Sequence, residues 1–170
     1  MSDLHGGRTV VIGLGNPLMG DDGLGLAALA QLQAQWSIPE TVEMVDGGTW
    51  GMNLLPVIES AERLLLLDAI DTAAAPGTLQ VLEQHRIPRY LATKISPHQV
   101  DLHDVLALAQ LRGTFPAQAV ALGIQPARVA FGNEISEVVA CRLDELVRAA
   151  VMQLERWGVV CVPQEAHVGA

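Results

Sequence analysis

Short apolar runs alternate along the 170-residue chain with longer segments in which apolar residues recur every three or four positions. The short runs predict strands, and the longer segments predict amphipathic helices. The predicted strands are 9–14, 41–46, 63–69, 77–83, 119–124 and 128–132, and the predicted helices are 22–35, 53–60, 99–111 and 136–157. Strand followed by helix, repeated with glycine at the turns, predicts a three-layer α/β domain with a mostly parallel sheet.

The length fits one domain, and half of the residues are apolar, which excludes an intrinsically disordered chain. We expect a single domain over residues 1–163 and a loose C-terminal tail over residues 164–170. Ten Lys and Arg against nineteen Asp and Glu leave a formal charge of −9 at pH 7. This acidic balance argues against nucleic acid or an anionic membrane as a partner, because both require a basic surface.

Cysteine content and the first residues bear on the compartment. Cys141 and Cys161 are the only cysteines and form no C-x-x-C motif, which favours a reducing environment. The first residues lack the basic and apolar regions of a signal peptide, and no apolar run approaches the roughly 20 residues that span a bilayer. We therefore expect a soluble, cytoplasmic protein. A monomer is the default expectation for its assembly state.

Four aspartates fall where predicted strands end or where the first helix begins. Asp46 and Asp68 lie at the carboxyl ends of predicted strands, and Asp21 and Asp22 belong to the segment GLGNPLMGDDG that follows the first strand. Ligands of open α/β sheets bind outside the carboxyl ends of the strands. Separate stretches of the chain are therefore expected to deliver carboxylates to one edge of the sheet.

The glycine-rich segment is not a dinucleotide-binding fingerprint. Leu18 occupies the third glycine position of G-x-G-x-x-G, and two acids stand where a pyrophosphate would need backbone N–H groups. The chain also lacks the G-x-S-x-G nucleophile motif and the phosphate-binding P-loop motif. The structural alternative for this segment is a tight turn whose acids favour a helix N-terminus.

A histidine in the segment KISPHQ is the best partner for these acids. Pro97 favours an extended Ser96, which puts His98 near the entry to the following helix. One imidazole and two carboxylates suit a divalent metal with open coordination positions, and they equally suit metal-free acid–base catalysis. His103 points elsewhere on its helix, and the remaining histidines are expected to be solvated: His5, His85 and His167.

Four segments in this order resemble the NiFe-hydrogenase maturation endopeptidases: GLGNPLMGDDGLG, VDGGTWGMNLL, LLLLDAI followed by PGT, and KISPHQVDLHDVL. The resemblance extends from about Thr9 to Leu111. It implies an α/β/α sandwich around a twisted sheet. It also implies an endopeptidase that removes a C-terminal extension from the precursor of the hydrogenase large subunit, with the nickel carried by that precursor.

The resemblance assigns roles to individual residues. Asp22, Asp68 and His98 match the nickel-contacting positions of the family and form the expected catalytic set. Some relatives have Glu at the first of these positions, whereas Asp22 is one methylene shorter and follows a second acid, Asp21. Asp46 matches the aspartate of the family's D-G-G-T loop. Asp46 and Asp21 are therefore expected to support the metal contacts or to position the substrate.

Other functions fit parts of the sequence. A nickel-sensing chaperone that binds the precursor without cutting it would use the same three residues. The opening GLGNP also resembles peptidyl-tRNA hydrolases, but the charge of −9 disfavours the RNA-facing surface that such an esterase needs. A purely structural module would leave three separated polar motifs at one sheet edge without a reason.

Overall fold

The computed structural model describes residues 7–48, 51–84, 86–87 and 102–165. Within these ranges, the strands are β1 (Thr9–Leu14), β2 (Trp36–Ser37), β3 (Val42–Gly48), β4 (Arg63–Ala69), β5 (Leu79–Glu83), β6 (Gln118–Ile124) and β7 (Val162–Pro163). The α-helices are α1 (Leu24–Gln35), α2 (Leu55–Ser60), α3 (Leu102–Leu111), α4 (Glu137–Ala140) and α5 (Leu143–Arg156). Two 3-10 turns, Gly20–Gly23 and Gly51–Leu54, lead into α1 and α2.

Five strands form the main sheet in the order β3-β1-β4-β6-β5. The first four strands of that order run parallel, and β5 pairs antiparallel with β6. The parallel strands therefore bring their carboxyl ends to one edge of the sheet, which we call the carboxyl edge; the opposite edge is the amino edge. The short strands β2 and β7 pair separately. The predicted mostly parallel α/β fold is confirmed.

Helices cover both faces of the sheet. The alternation of β4 explains how: Leu64 and Leu66 pack with α2 and α3, while Leu65 and Leu67 pack with α1 and α5. One run of four leucines thus contributes to both cores, as expected for a strand that is covered on both faces. No helix among the described residues is long and apolar enough to cross a membrane.

Strand predictions were most accurate in the middle of the sheet. The predicted strands 9–14 and 63–69 coincide with β1 and β4. The predicted strand 128–132 is wrong: this segment is a loop with a single parallel bridge, between Met19 and Gly132. Its backbone groups bond to the turn after β1 instead of to a sheet strand; for example, the Gly20 N–H donates to the Gly132 carbonyl at 2.8 Å.

One prediction near the C-terminus needs correction, and the predicted loose tail stays a prediction. The predicted single helix 136–157 is broken into α4 and α5, with the Arg142 N–H bonding back three residues to Val139. A turn of this kind keeps nearly helical dihedral angles, so the apolar period continues through the break. The predicted loose tail begins at Gln164, whose N–H donates to the Gln35 carbonyl at 2.8 Å. Residues 166–170 lie outside the described ranges.

Candidate active site

The turn after β1 is folded tightly against the carboxyl edge. Gly15 has φ +119°, and a Cβ there would lie 1.7 Å from the Asp22 carbonyl oxygen, so this position requires glycine. A Cβ on Gly25 would lie 2.1 Å from the Leu67 carbonyl oxygen. The first turn of α1 therefore sits directly on the end of β4, which brings Asp22 close to the strand that carries Asp68.

Asp22 is half-buried in the 3-10 turn before α1. Its Oδ2 accepts a hydrogen bond of 3.0 Å from the Asn16 backbone N–H. The Asn16 side chain in turn accepts from the Leu18 N–H at 2.9 Å, which closes the turn on itself. The carboxylate is thus oriented by backbone dipoles while part of its surface stays open to solvent.

Asp68 is the penultimate residue of β4 and is buried. Its Oδ1 accepts a hydrogen bond of 2.8 Å from the Ala69 N–H. In the alternation of β4, Asp68 shares a face with Leu64 and Leu66, the face that α2 and α3 cover. The structure therefore brings Asp22 and Asp68 to the same edge of the sheet, as their positions in the sequence predicted.

Asp46 lies two residues before the end of the edge strand β3, opposite Gly13 of β1, and is exposed. It lines an open cleft of about 670 Å³ that runs along β3 and reaches Gly15 and Pro17 in the turn after β1. Neither Asp22 nor Asp68 lines this cleft. Asp46 is thus at the predicted edge of the sheet, but it lines a cleft that does not include Asp22 or Asp68.

Asp21 has a different environment from its neighbour Asp22, because it is fully buried with 0% exposure. Its Oδ2 accepts hydrogen bonds of 2.8 Å from the Ala127 N–H, the Arg128 N–H and the Ser136 hydroxyl. Its Oδ1 accepts from the Ser136 N–H at 2.7 Å. Burial by itself raises the pKa of Asp21, but the hydrogen bonds from Arg128, Ser136 and Ala127 together lower it below its ordinary value. The ionised carboxylate fastens the loop after β6 to the turn after β1.

A second polar anchor, which the sequence did not reveal, lies on the other side of Asp68. The buried Gln125 side chain accepts from the Thr72 N–H at 2.9 Å and donates to Asp71 Oδ1 at 2.9 Å. Gln80 also donates to Gln125, at 3.1 Å. The loops after β4 and β6 are therefore bound to each other. No sequence signal marks Gln125, since a glutamine before proline is typical of an exposed turn.

The third member of the predicted set, His98, lies outside the described residues, as do His5, His85 and His167. Among the residues that the structure describes, no three His, Cys, Asp or Glu side chains form a group suited to a metal ion. Two carboxylates at one edge form an incomplete set for a divalent cation such as nickel, to which an imidazole would add a favoured ligand. Cys141 is exposed, Cys161 is buried, and neither forms a disulfide.

The fold and the carboxyl edge together define an α/β protein whose carboxylates are placed for acid–base or metal-assisted chemistry. The family model described as hydrogenase maturation protease matches residues 27–153. A hydrogenase expression/formation protein, HoxM, from Cupriavidus necator is 38% identical over 161 residues, covering 94% of this chain and 80% of that protein. The hydrogenase 2 maturation protease of Escherichia coli is 32% identical over 160 residues, covering 94% of this chain and 98% of that protein.

Solved structures agree with the sequence relatives. The hydrogenase maturating endopeptidase HybD from E. coli superposes with a TM-score of 0.87 at 32% identity, covering 92% of this chain and 98% of that one. The chain therefore belongs to the hydrogenase maturation protease family, and it is a hydrolase of peptide bonds. This result confirms the resemblance that the four sequence segments indicated.

Proposed function

We propose that this protein removes a C-terminal extension from the nickel-loaded precursor of a NiFe-hydrogenase large subunit. The observation that carries the proposal is the position of Asp22 and Asp68 at one edge of the sheet, in a chain that belongs to the hydrogenase maturation proteases. The nickel belongs to the substrate. Asp22 and Asp68 would contact it from the enzyme side and so hold the precursor with its scissile bond at the carboxyl edge.

His98 is proposed as the third contact to nickel. It precedes Leu102, the first residue of α3, by four positions in the sequence. Helix α3 packs on the face of the sheet that Asp68 shares, and it runs back toward the amino edge, where β6 begins. The N-terminus of α3 therefore points toward the carboxyl edge, which supports His98 as the partner of Asp68.

This arrangement makes nickel in the precursor a requirement for cleavage, which we call the nickel checkpoint. Two carboxylates and one imidazole bind a divalent ion only modestly, but they can complete the coordination of an ion that the precursor's own ligands already hold. A precursor without nickel lacks the ion that anchors it. Hydrolysis adds the water oxygen to the scissile carbonyl carbon and its proton to the departing amine, and a carboxylate within hydrogen-bond distance can carry that proton.

The compartment and assembly state follow the sequence predictions. We propose a monomer that works in the cytoplasm and engages the precursor transiently. The two cysteines support a reducing compartment, because the exposed Cys141 and the buried Cys161 both remain free thiols. Neither nucleic acid nor a membrane surface suits a chain with a formal charge of −9.

The test is to incubate the purified protein with nickel-loaded and nickel-free precursor and to measure the mass of each product. We expect a shorter product from the loaded precursor alone. His98→Ala should abolish that product, whereas the matched control His85→Ala should leave it. Binding of the loaded precursor without any mass change would instead support the chaperone alternative, and cleavage of both precursors at equal rates would contradict the checkpoint.

A further inference from the structure

Three apolar side chains are exposed on the loops beside Asp22. Leu18, in the turn after β1, is 57% exposed, and Val129 and Phe131, in the loop after β6, are 52% and 84% exposed. We call these three side chains the apolar rim. Arg128, next to Val129, is also exposed. Aromatic residues and arginine are enriched at protein interfaces. Exposure of a Phe side chain to water is unfavourable in free energy, and a partner that covers the side chain removes that cost.

The two loops of the rim are joined by backbone hydrogen bonds. Met19 and Gly132 form a parallel bridge, in which the Gly132 N–H donates to the Leu18 carbonyl at 2.9 Å. The backbones of Leu18 and Phe131, one residue before each bridge partner, therefore run side by side. The bridge therefore joins the two parts of the rim, although Leu18 is more than a hundred positions away from Val129 and Phe131 in the chain.

Asp21 makes this surface rigid. Its buried carboxylate accepts four hydrogen bonds from Ala127, Arg128 and Ser136, which bracket Val129 and Phe131 in the sequence. A loop fixed in this way has already lost conformational entropy on folding. Binding of a partner therefore carries little further entropic cost for ordering the loop. Because Asp21 is bonded covalently to Asp22, the same anchor sets the rim at a fixed distance from the candidate catalytic carboxylate.

The size and charge of the rim favour a substrate over a second copy of this chain. Three side chains expose on the order of a few hundred Å², whereas a stable interface buries about 800 Å² on each partner. The formal charge of −9 would also repel a second copy. Leu18 lies in the same turn as Asp22, whose N–H donates to the Met19 carbonyl, so the rim borders the candidate catalytic carboxylate.

We propose that the apolar rim docks the folded body of the precursor next to the segment that is cut. This inference rests on the proposed function, since it names the surface by which that substrate is held. Docking through the rim and capture of nickel through the carboxylates are separate contacts. The rim therefore contributes to precursor affinity, and the carboxylates contribute to nickel dependence and to chemistry.

The test compares Phe131→Ser with Leu111→Ser in processing of nickel-loaded precursor over a range of precursor concentrations. Leu111 is the matched control, because it is also 84% exposed but lies at the end of α3, toward the amino edge. We expect Phe131→Ser to raise KM about tenfold or more without lowering kcat. Leu18→Ser should raise KM in the same direction, and Leu111→Ser should not change it.

The possible outcomes distinguish failure of the docking surface from failure of the proposed function. Absence of cleavage by the unaltered protein would overturn the proposed function, and this inference with it. Cleavage by the unaltered protein with equal KM for Phe131→Ser and Leu111→Ser would overturn the docking surface alone. A fall in kcat for Phe131→Ser at unchanged KM would also overturn it, because the rim would then act on the chemistry. Thermal unfolding of Phe131→Ser should match the unaltered protein, since the side chain packs on little.

Discussion

The two edges of the sheet hold their loops by different chemistry. At the amino edge, carboxylates pair with arginines: Glu59 meets Arg112 at 2.8 Å, and Glu43 forms an ion pair with Arg8. At the carboxyl edge, Asp21 and Asp22 accept hydrogen bonds from backbone N–H groups and from the Ser136 hydroxyl. A guanidinium cancels the charge of its partner, but a dipole orients a carboxylate and leaves its negative charge in place. The carboxylates of Asp21 and Asp22 are therefore oriented without losing their charge.

The largest effect on the fold should come from substituting a glycine at the carboxyl edge whose added Cβ would collide with the backbone. Gly15→Ala combines a left-handed backbone with a contact of 1.7 Å to the Asp22 carbonyl oxygen. We expect the free energy of unfolding to fall by about 3–5 kcal/mol and processing to fall about 100-fold through displacement of Asp22. Urea unfolding and the processing assay measure the two effects.

Gly113→Ala is the control at the amino edge, because Gly113 also has a positive φ, +71°, but has no atom within 4 Å of an added Cβ. It should cost about 1 kcal/mol and leave processing unchanged. Equal losses for the two variants would show that the turn after β1 does not depend on its close approach to Asp22.

The next effect should come from removing the buried charge that joins two loops at the carboxyl edge. Asp21→Asn replaces one acceptor oxygen with an amide that must face an N–H or O–H donor in a buried site. We expect a loss of about 3 kcal/mol in the free energy of unfolding. Glu59→Gln, which breaks the Arg112 pair at the amino edge, should cost less than about 1 kcal/mol. Similar costs for both variants in urea unfolding would contradict the difference between the edges.

The smallest of the three effects is a pH dependence of stability. The pKa of Asp21 is lower in the folded protein than its ordinary value of 3.8, so the folded state binds fewer protons at this site than the unfolded chain. The stabilisation is complete above that ordinary value and is lost as the pH falls through it toward the folded pKa. The difference in unfolding free energy between the unaltered protein and Asp21→Asn should therefore shrink on acidification. A difference that stays constant from about pH 6 to pH 3 would contradict this role.

The parts of the fold that the sequence predicts best are those with local signals. The run RLLLLDA defines β4 residue for residue and places Asp68 near its end, because a continuous apolar run followed by a polar residue needs no distant information. The same holds for β1 and for the buried stripe of α5. The family resemblance supplied the roles that we propose for Asp22 and His98, which spacing alone could not assign.

The parts that escaped prediction depend on contacts between distant segments. Asp21 and Asp22 are adjacent and chemically identical in the sequence, yet one is buried under a loop that begins more than a hundred residues later. Gln125 likewise gains its role from Thr72 and Asp71, which belong to a different loop. The predicted strand 128–132 failed for the same reason, since its backbone partners lie in the turn after β1. No local pattern encodes such pairings.

Processing of nickel-loaded precursor by Asp22→Asn and Asp68→Asn, with Glu59→Gln as the amino-edge control, tests the proposed nickel contacts most directly. Product mass is measured by mass spectrometry, and urea unfolding verifies that each variant is folded. Both aspartate variants should fold but yield no shortened precursor, while Glu59→Gln should process it at the rate of the unaltered protein. Normal processing by folded Asp22→Asn and Asp68→Asn would contradict the proposal that these two carboxylates contact the nickel of the substrate.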